Sequence, residues 1–335
     1  MKIFYKFLIF AFLLNSKLLF SQDMHFSQFY SSSLYLNPAF AGANVCSRFS
    51  LTYRDQWPGV SKAYKSYLAS YDHYLTKYNV GLGLLVGSDV AGTGQLRTTV
   101  INPLIAYEAK LTKKLYARFG VQPGISIRSI NFNDLVFGDQ LARGGGVPTM
   151  ATPTQSKVFF DAGAGALLYS KDFWAGISFY HLNKPNESLL GQDGTSTLPM
   201  KFSIHSGYKF IINPDEKEVS KQKSFSPAFN YRGQLEYDQL DIGCYYTQNV
   251  LNLGVWYRGI PGYKPYKPGY SNNDALIFIV GVRTDRMNIG YSFDYTISKL
   301  TNGASHGAHE VTVSYQMCKL NKKKKKPILV PCPKF

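Results

Sequence analysis

The side chains here that could do chemistry are six histidines and a set of charges interleaved with apolar residues. His306 and His309 stand three apart where a loop would meet a strand. Two imidazoles at that spacing can share a metal, but no third ligand cluster lies nearby. His309-Glu310 also lacks the second histidine of a zincin helix. The plainer reading of Ser305 to Glu310 is a hydrogen-bonding segment at the mouth of a larger structure. There is no GxSxG turn to expose a nucleophilic serine. A hydrolytic Ser/His pair would have to come from residues distant in sequence, with His181 or His205 as the base. The glycines at 81, 83 and 87 lie in an apolar alternating run with no helix after it, so they are strand glycines and not a phosphate loop. Cys46, Cys244, Cys318 and Cys332 form no CxxC pair and no zinc spacing. Cys244 reads as an inert thiol on an apolar face, and a Cys318–Cys332 disulfide stays open. The expectation is therefore no catalytic residue, no cofactor and no metal.

The charges are more informative. Arg118, Arg128, Arg232, Glu236, Asp241, Asp294 and Glu310 each fall on the polar side of an alternating run. In Tyr116 to Arg128, residues Phe119, Val121, Ile125 and Ile127 share one parity, while Arg118, Gln122, Ser126 and Arg128 share the other. Side chains alternate across a strand, so each such run is a strand with one oily and one polar face. An arginine facing lipid at the bilayer midplane costs about 2–4 kcal/mol, so these charges are expected to face a wet interior. There they form a network that stiffens the wall.

About fourteen such runs follow one another from residue 48 to residue 317; the seventh is placed near 173–183 and the eighth near 199–210. Short connections alternate with long ones, among them Ile130 to Lys157 and Lys184 to Leu198. Short turns at one end and long loops at the other mark an outer-membrane barrel, and an even strand count puts both termini on the periplasmic side. A soluble β-sandwich is the competing fold, since its strands alternate too, but its oily faces meet inside. Tyr and Phe number 25 and 23, and no helical heptads appear, which also suits an all-β chain with interfacial rings.

Met1 to Ser21 has a charged start, a short apolar core and small residues before a cut, and reads as a signal peptide. Asn15, Ser16 and Lys17 interrupt the apolar run, leaving it short of the roughly 20 residues a spanning helix needs. The formal charge of +16 suggests nucleic acid. However, three lysines lie in that leader and seven in the last 17 residues, which leaves +6 for the body. A modest body with one basic tail is not a nucleic-acid surface. The tail NKKKKKPILVPCPKF reads either as a dock for an acidic partner or anionic head groups, or as a solvated extension. The domain reading is thus 1–21 signal peptide, 22–47 N-terminal plug or mouth segment, 48–318 barrel, and 319–335 basic periplasmic tail.

The segment Asp23 to Gly42 does not alternate. Phe26, Phe29, Tyr30 and Leu34 recur at helical spacing until Asn37-Pro38 breaks it and Gly42 ends it. This stretch also carries a likeness. HFSQFY (His25, Phe26, Gln28, Tyr30), then LYLNPAFAG (Asn37, Pro38, Phe40, Gly42), then YRDQWPG (Arg54, Gln56, Trp57) resemble the PorP/SprF family. The likeness continues at Asn183 and Pro185, in GYSFDYTISKL, and at SHGAHEVTVSY with His309 and Glu310. Met24, where a proline would be expected, and the lysine-rich end depart from the pattern. The resemblance implies a non-enzymatic outer-membrane component of the type IX secretion and gliding machinery. It implies binding to periplasmic ring and lipoprotein components, and support for export or surface attachment of adhesin-type cargo. Contact surfaces are expected at Asp23 to Gly42 and the tail on the periplasmic side, and at the 130–157 and 184–198 loops outside. The alternative is a passive channel for small or hydrophobic solutes; outer-membrane lipid is a partner in either case, and nucleic acid in neither.

Overall fold

A computed structural model describes residues 23–44, 46–132, 135–145, 147–150, 155–189, 196–213, 223–235, 237–260, 271–317 and 330–332. The leader, Glu236 and residues 318–329 lie outside this set. Fourteen strands run in chain order: β1 (Ser47–Gln56), β2 (Tyr64–Leu75), β3 (Val80–Ala91), β4 (Leu96–Lys110), β5 (Tyr116–Ser129), β6 (Ser156–Tyr169), β7 (Phe173–Tyr180), β8 (Lys201–Tyr208, continued by Phe210–Ile211), β9 (Lys223–Gln234), β10 (Tyr237–Gln248), β11 (Leu251–Gly259), β12 (Asn273–Arg283), β13 (Met287–Thr296) and β14 (Ala308–Met317). Every strand pairs antiparallel with its chain neighbours. The ring closes where β14 returns to β1, in register from Ser47 opposite Met317 to Gln56 opposite Ala308. Closure leaves no open edge, which hydrocarbon could not satisfy. Among the described residues, no helix is long and apolar enough to cross a membrane.

The alternation turns outward. Phe119, Val121 and Ile125 on β5 are 50–57% exposed, whereas Arg118, Gln122, Ser126 and Arg128 between them are buried. The oily faces never meet one another, so the sandwich is excluded. Two strands differ from expectation at the loop end. The seventh stops at Tyr180 because His181 takes a left-handed conformation (φ 57°) and turns the chain. The eighth begins at Lys201 and is interrupted at Lys209.

The two ends are unlike. Links such as 111–115, 170–172 and 284–286 make a short-turn end, where β1 starts and β14 finishes; 57–63, 130–155, 181–200 and 297–307 make a long-loop end. The segment 23–44 lies inside this ring with nearly every residue buried. It begins at the loop end with Asp23 beside His181, dips until Tyr30 meets Trp174, and rises again at Tyr35 beside Met24 and Tyr180. It then descends to the turn end at Gly42 beside Gly81. Only Ser33–Leu36 forms an α-helical turn. Asn37, extended, caps the 3-10 turn Pro38–Phe40 by accepting from the Ala39 N–H, with proline at the first position where its missing N–H does no harm.

Two expectations need correction here. Parity puts both ends of the chain on one side, but Asp23 stands at the loop end, opposite Ser47 and Met317. The tail is expected outside the barrel, as a dock or as a solvated extension, yet of its described residues Val330 and Cys332 are 3% and 4% exposed and join the central cluster with Tyr30 and Tyr245. Burying the Val330 and Cys332 side chains among apolar neighbours offsets the cost of ordering them. Cys332 is not disulfide-bonded, so a Cys318–Cys332 bridge is not formed; Cys46 is disulfide-bonded.

Candidate functional site

A barrel of this width would hold water if its interior were empty. Here the inward parity of the strands and the residues 23–44 were read as separate features, and the structure brings them together in three tiers.

The middle tier is a charge cluster built around Ser27. Arg54 reaches Asp294 at 2.9 Å and Glu310 at 3.2 Å, and Arg258 reaches Asp294 and Asp241 at 2.8 Å each. Arg232 lies 2.7 Å from Asp241. Both Arg54 and Arg258 donate to the Ser27 hydroxyl, which donates in turn to Asp294 at 2.6 Å. The backbone N–H groups of Ser27 and Gln28 donate to the two oxygens of Glu310 at 2.7 and 3.0 Å. Gln28 also accepts from Thr312 and donates to Ser292. His25 packs against Arg232 and Gln239, and Gln56 accepts from Arg54. With Asp274 3.7 Å from Arg258, three guanidinium groups thus face four carboxylates, and the plug's own backbone donates as well. Taking charges out of water is expensive, and the attraction repays it only when every lone pair is matched, as nearly all are here.

The turn-end tier holds the rest of the plug. Arg118 donates to the carbonyls of Ala39 (2.9 Å) and Ala41 (2.5 Å) and pairs with Glu108. Arg48 pairs with Asp72 at 2.9 Å and donates to the Ser33 hydroxyl. Asn37 donates to the carbonyls of Ala166 and Ile177, both at 3.0 Å. Glycine lets the backbone come this close: a Cβ on Gly81 would sit 1.8 Å from the Ala41 oxygen, and one on Gly120 2.4 Å from Pro38 and Ala39. Phe29 packs edge-on to Trp256 at 4.9 Å, Tyr30 to Trp174 at 5.6 Å, and Phe40 stacks on His205 at 5.6 Å. Phe26 meets Tyr35 at 5.4 Å.

The loop-end tier is a clasp beside two adjoining cavities of about 310 and 550 Å³, both lined by Asp23, Met24, Tyr35 and Lys201. Asp23 accepts from His181 at 2.9 Å and from Lys201 at 2.5 Å, and Asp161 holds the other His181 nitrogen at 2.9 Å. The Lys201 ammonium sits over the rings of Tyr180 and Tyr35 at 4.8 and 5.0 Å. Burial disfavours the charged imidazole of His181, but the Asp23 and Asp161 carboxylates outweigh it and hold the group at about 9. Burial likewise opposes charge on Asp23, yet His181 and Lys201 keep that carboxyl far below the usual range. Arg128 pairs with Glu187 on the loop after β7.

The remaining sequence-selected residues are scattered. His309 turns outward, with its Nδ1 2.8 Å from the Tyr291 hydroxyl, so it shares no site with His306 or with the buried Glu310. Asn183 pins the loop to Phe160 and Ala162, and the Pro185 carbonyl accepts from Leu198. Trp57, at φ 59°, packs on Tyr64. Glu236 lies outside the described residues. Neither histidine proposed as a hydrolytic base has a serine on it: His181 is held between two carboxylates, and His205 touches Asn37 and Phe40. Ser47 does approach His73 at 2.7 Å.

Alternation puts Arg48 and Lys201 on polar faces without assigning them a role, and leaves Asp23, Ser27, Asp72, Glu108 and Arg258 unmarked. The inward parity of Arg258 opposite Val255 and Tyr257 was the available signal for one of them. The segment 23–42 was also expected to offer a contact surface. The wall surrounds it, and Asp23, His25 and Tyr35, beside the loop-end cavities, are its half-exposed residues.

The sequence matches the family model for the type IX secretion system membrane protein PorP/SprF over residues 18–315. No curated protein matches it. Among solved structures it is similar to a CymD monoaromatic hydrocarbon channel at 10% identity, covering 86% of this chain and 93% of that one, with a TM-score of 0.49. It is similar to the toluene transporter TodX of P. putida at 11% identity (86% and 94% covered, TM-score 0.49) and to a mutant Rh. blastica porin at 8% (81% and 98% covered, TM-score 0.34).

Proposed function

The chain belongs to the PorP/SprF family of type IX secretion system membrane proteins, and from that premise we propose that it is an integral outer-membrane component that works by binding. Its turn end faces the periplasm and meets the ring and lipoprotein parts of the machinery. Its long loops, 130–157 and 184–198, face outward and support export or surface attachment of adhesin-type cargo. The observation that supports binding over transport is the filled lumen: Phe26, Tyr30, Asn37 and Phe40 are each no more than 1% exposed in the middle of the ring. The charged side chains that meet the plug, among them Arg48, Arg54, Arg118, Arg258, Asp294 and Glu310, hold it in place, which supports binding over catalysis.

Deletion of the protein is expected to leave cargo synthesis intact while blocking its appearance on the cell surface. Normal surface display in the deletion strain would remove the secretion role. Co-purification from membranes, with partners identified by mass spectrometry, names the components bound. A passive channel would instead give steady conductance from the intact chain in planar bilayers, and loss of solute uptake without a secretion defect.

A further inference from the structure

The two ends of the barrel differ in charge as well as in length. Lys77, Lys113, Lys114, Lys171, Arg283 and Arg286 all lie on or beside the short turns, and all are exposed. None of the six is in an ion pair among the described residues, and the exposed or half-exposed acids on those same turns are Asp172 and Asp285. The loop end carries no such excess among the described residues, since its cations are interspersed with the half-exposed Asp55, Asp89, Asp139, Asp238 and Asp274. Beside these cations, on the turns and the adjoining strand ends, stand exposed apolar side chains: Tyr78, Tyr107, Leu111 and Phe210 are 52–61% exposed.

We propose that this rim is a docking surface for the head groups of anionic phospholipids in the leaflet at the turn end. Three features select lipid as the occupant. The cations sit on four different turns, three of them successive (after β2, β4 and β6) and one across the ring (after β12), so they fall on opposite sides of the barrel. An acidic protein docked from one side would meet one sector, whereas a bilayer meets all of them. They lie beside these exposed aromatic and apolar side chains, at the level where head groups begin. Lysine and arginine stems can lie along those side chains while the charge reaches a phosphate. The proposal rests on the barrel spanning a membrane and is independent of the secretion role.

The test is competition in the full chain. Purified protein in neutral detergent micelles is offered equimolar phosphatidylglycerol and phosphatidylethanolamine, and retained lipid is counted by native mass spectrometry. Each cation near an anionic surface contributes about fivefold, so several acting together predict a preference for phosphatidylglycerol of roughly tenfold or more. Replacing all six by glutamine is expected to bring the ratio near one, while exchanging Lys for Arg and Arg for Lys at the six positions preserves it. Raising salt to about 0.5 M in the unaltered protein, which needs no variant to fold, is expected to erase it. Equal retention of the two lipids by the unaltered protein, or an unchanged preference in the glutamine variant, overturns the proposal. So does capture of polyglutamate in preference to phosphatidylglycerol, which would make an acidic protein the occupant.

Discussion

Asp23 and His181, 158 positions apart, meet carboxylate to imidazole at 2.9 Å, and this contact fixes the start of the described chain to the loop end of the barrel. Lys201 completes it on one side and Asp161 on the other. The pair is the outermost tie on a segment that otherwise runs wholly inside the ring.

The clasp is expected to depend on pH in a defined direction. His181 is raised from 6.5 to about 9, so its stabilising effect is whole below about pH 6.5 and is lost as pH rises through 9. Asp23 is depressed from 3.8, so its effect is whole above that value and fades only in strong acid. A Met24→Cys reporter should therefore label slowly at neutral pH and several-fold faster above pH 9. A flat profile across pH 7 to 10, or the same rise in a His181→Asn background, would discount the clasp.

Truncating Arg54 to Ala leaves Asp294 and Glu310 buried with one cation fewer. Breaking a buried pair from one side costs about 3–5 kcal/mol, and the plug also loses a donor to Ser27. The heat-modifiability midpoint of the barrel should fall sharply. Replacing Arg54 and Glu310 together with Leu should be milder than the sum of the single changes, and an additive result would show that the two do not act as a unit.

Gly81→Ala places a methyl group against the Ala41 carbonyl. Overpacking of this kind costs about 1–3 kcal/mol, and the cheapest relief is to shift residues 39–42. Proteolysis within 23–44 should accelerate while the barrel keeps its β spectrum. Gly303→Ala, where nothing lies within 4 Å, serves as the silent control. Equal protection in the two variants would mean that the plug does not rest on Gly81.

Removing residues 25–41 empties the lumen of its apolar and charged filling. The intact chain is expected to show little conductance in planar bilayers, and the deletion variant a larger and steady one. A high steady conductance from the intact chain would contradict a filled interior and favour the channel reading.

The sequence by itself determined the wall. Period-two alternation is a local property, readable from ten residues at a time, and hydrocarbon allows only one solution for many such strands. Fourteen strands, unequal ends and outward-facing rings were therefore legible without coordinates, and so was the family, from HFSQFY and LYLNPAFAG. The inside was decided by tertiary structure. Arg54 finds Asp294 and Glu310 only because β14 closes on β1 in one register, and no pattern near residue 54 encodes a partner 240 positions away. The same holds for Asp23 at the loop end and for Val330 and Cys332 in the central cluster. Which residues fill a closed ring depends on how the ring closes, and closure is a property of the whole chain.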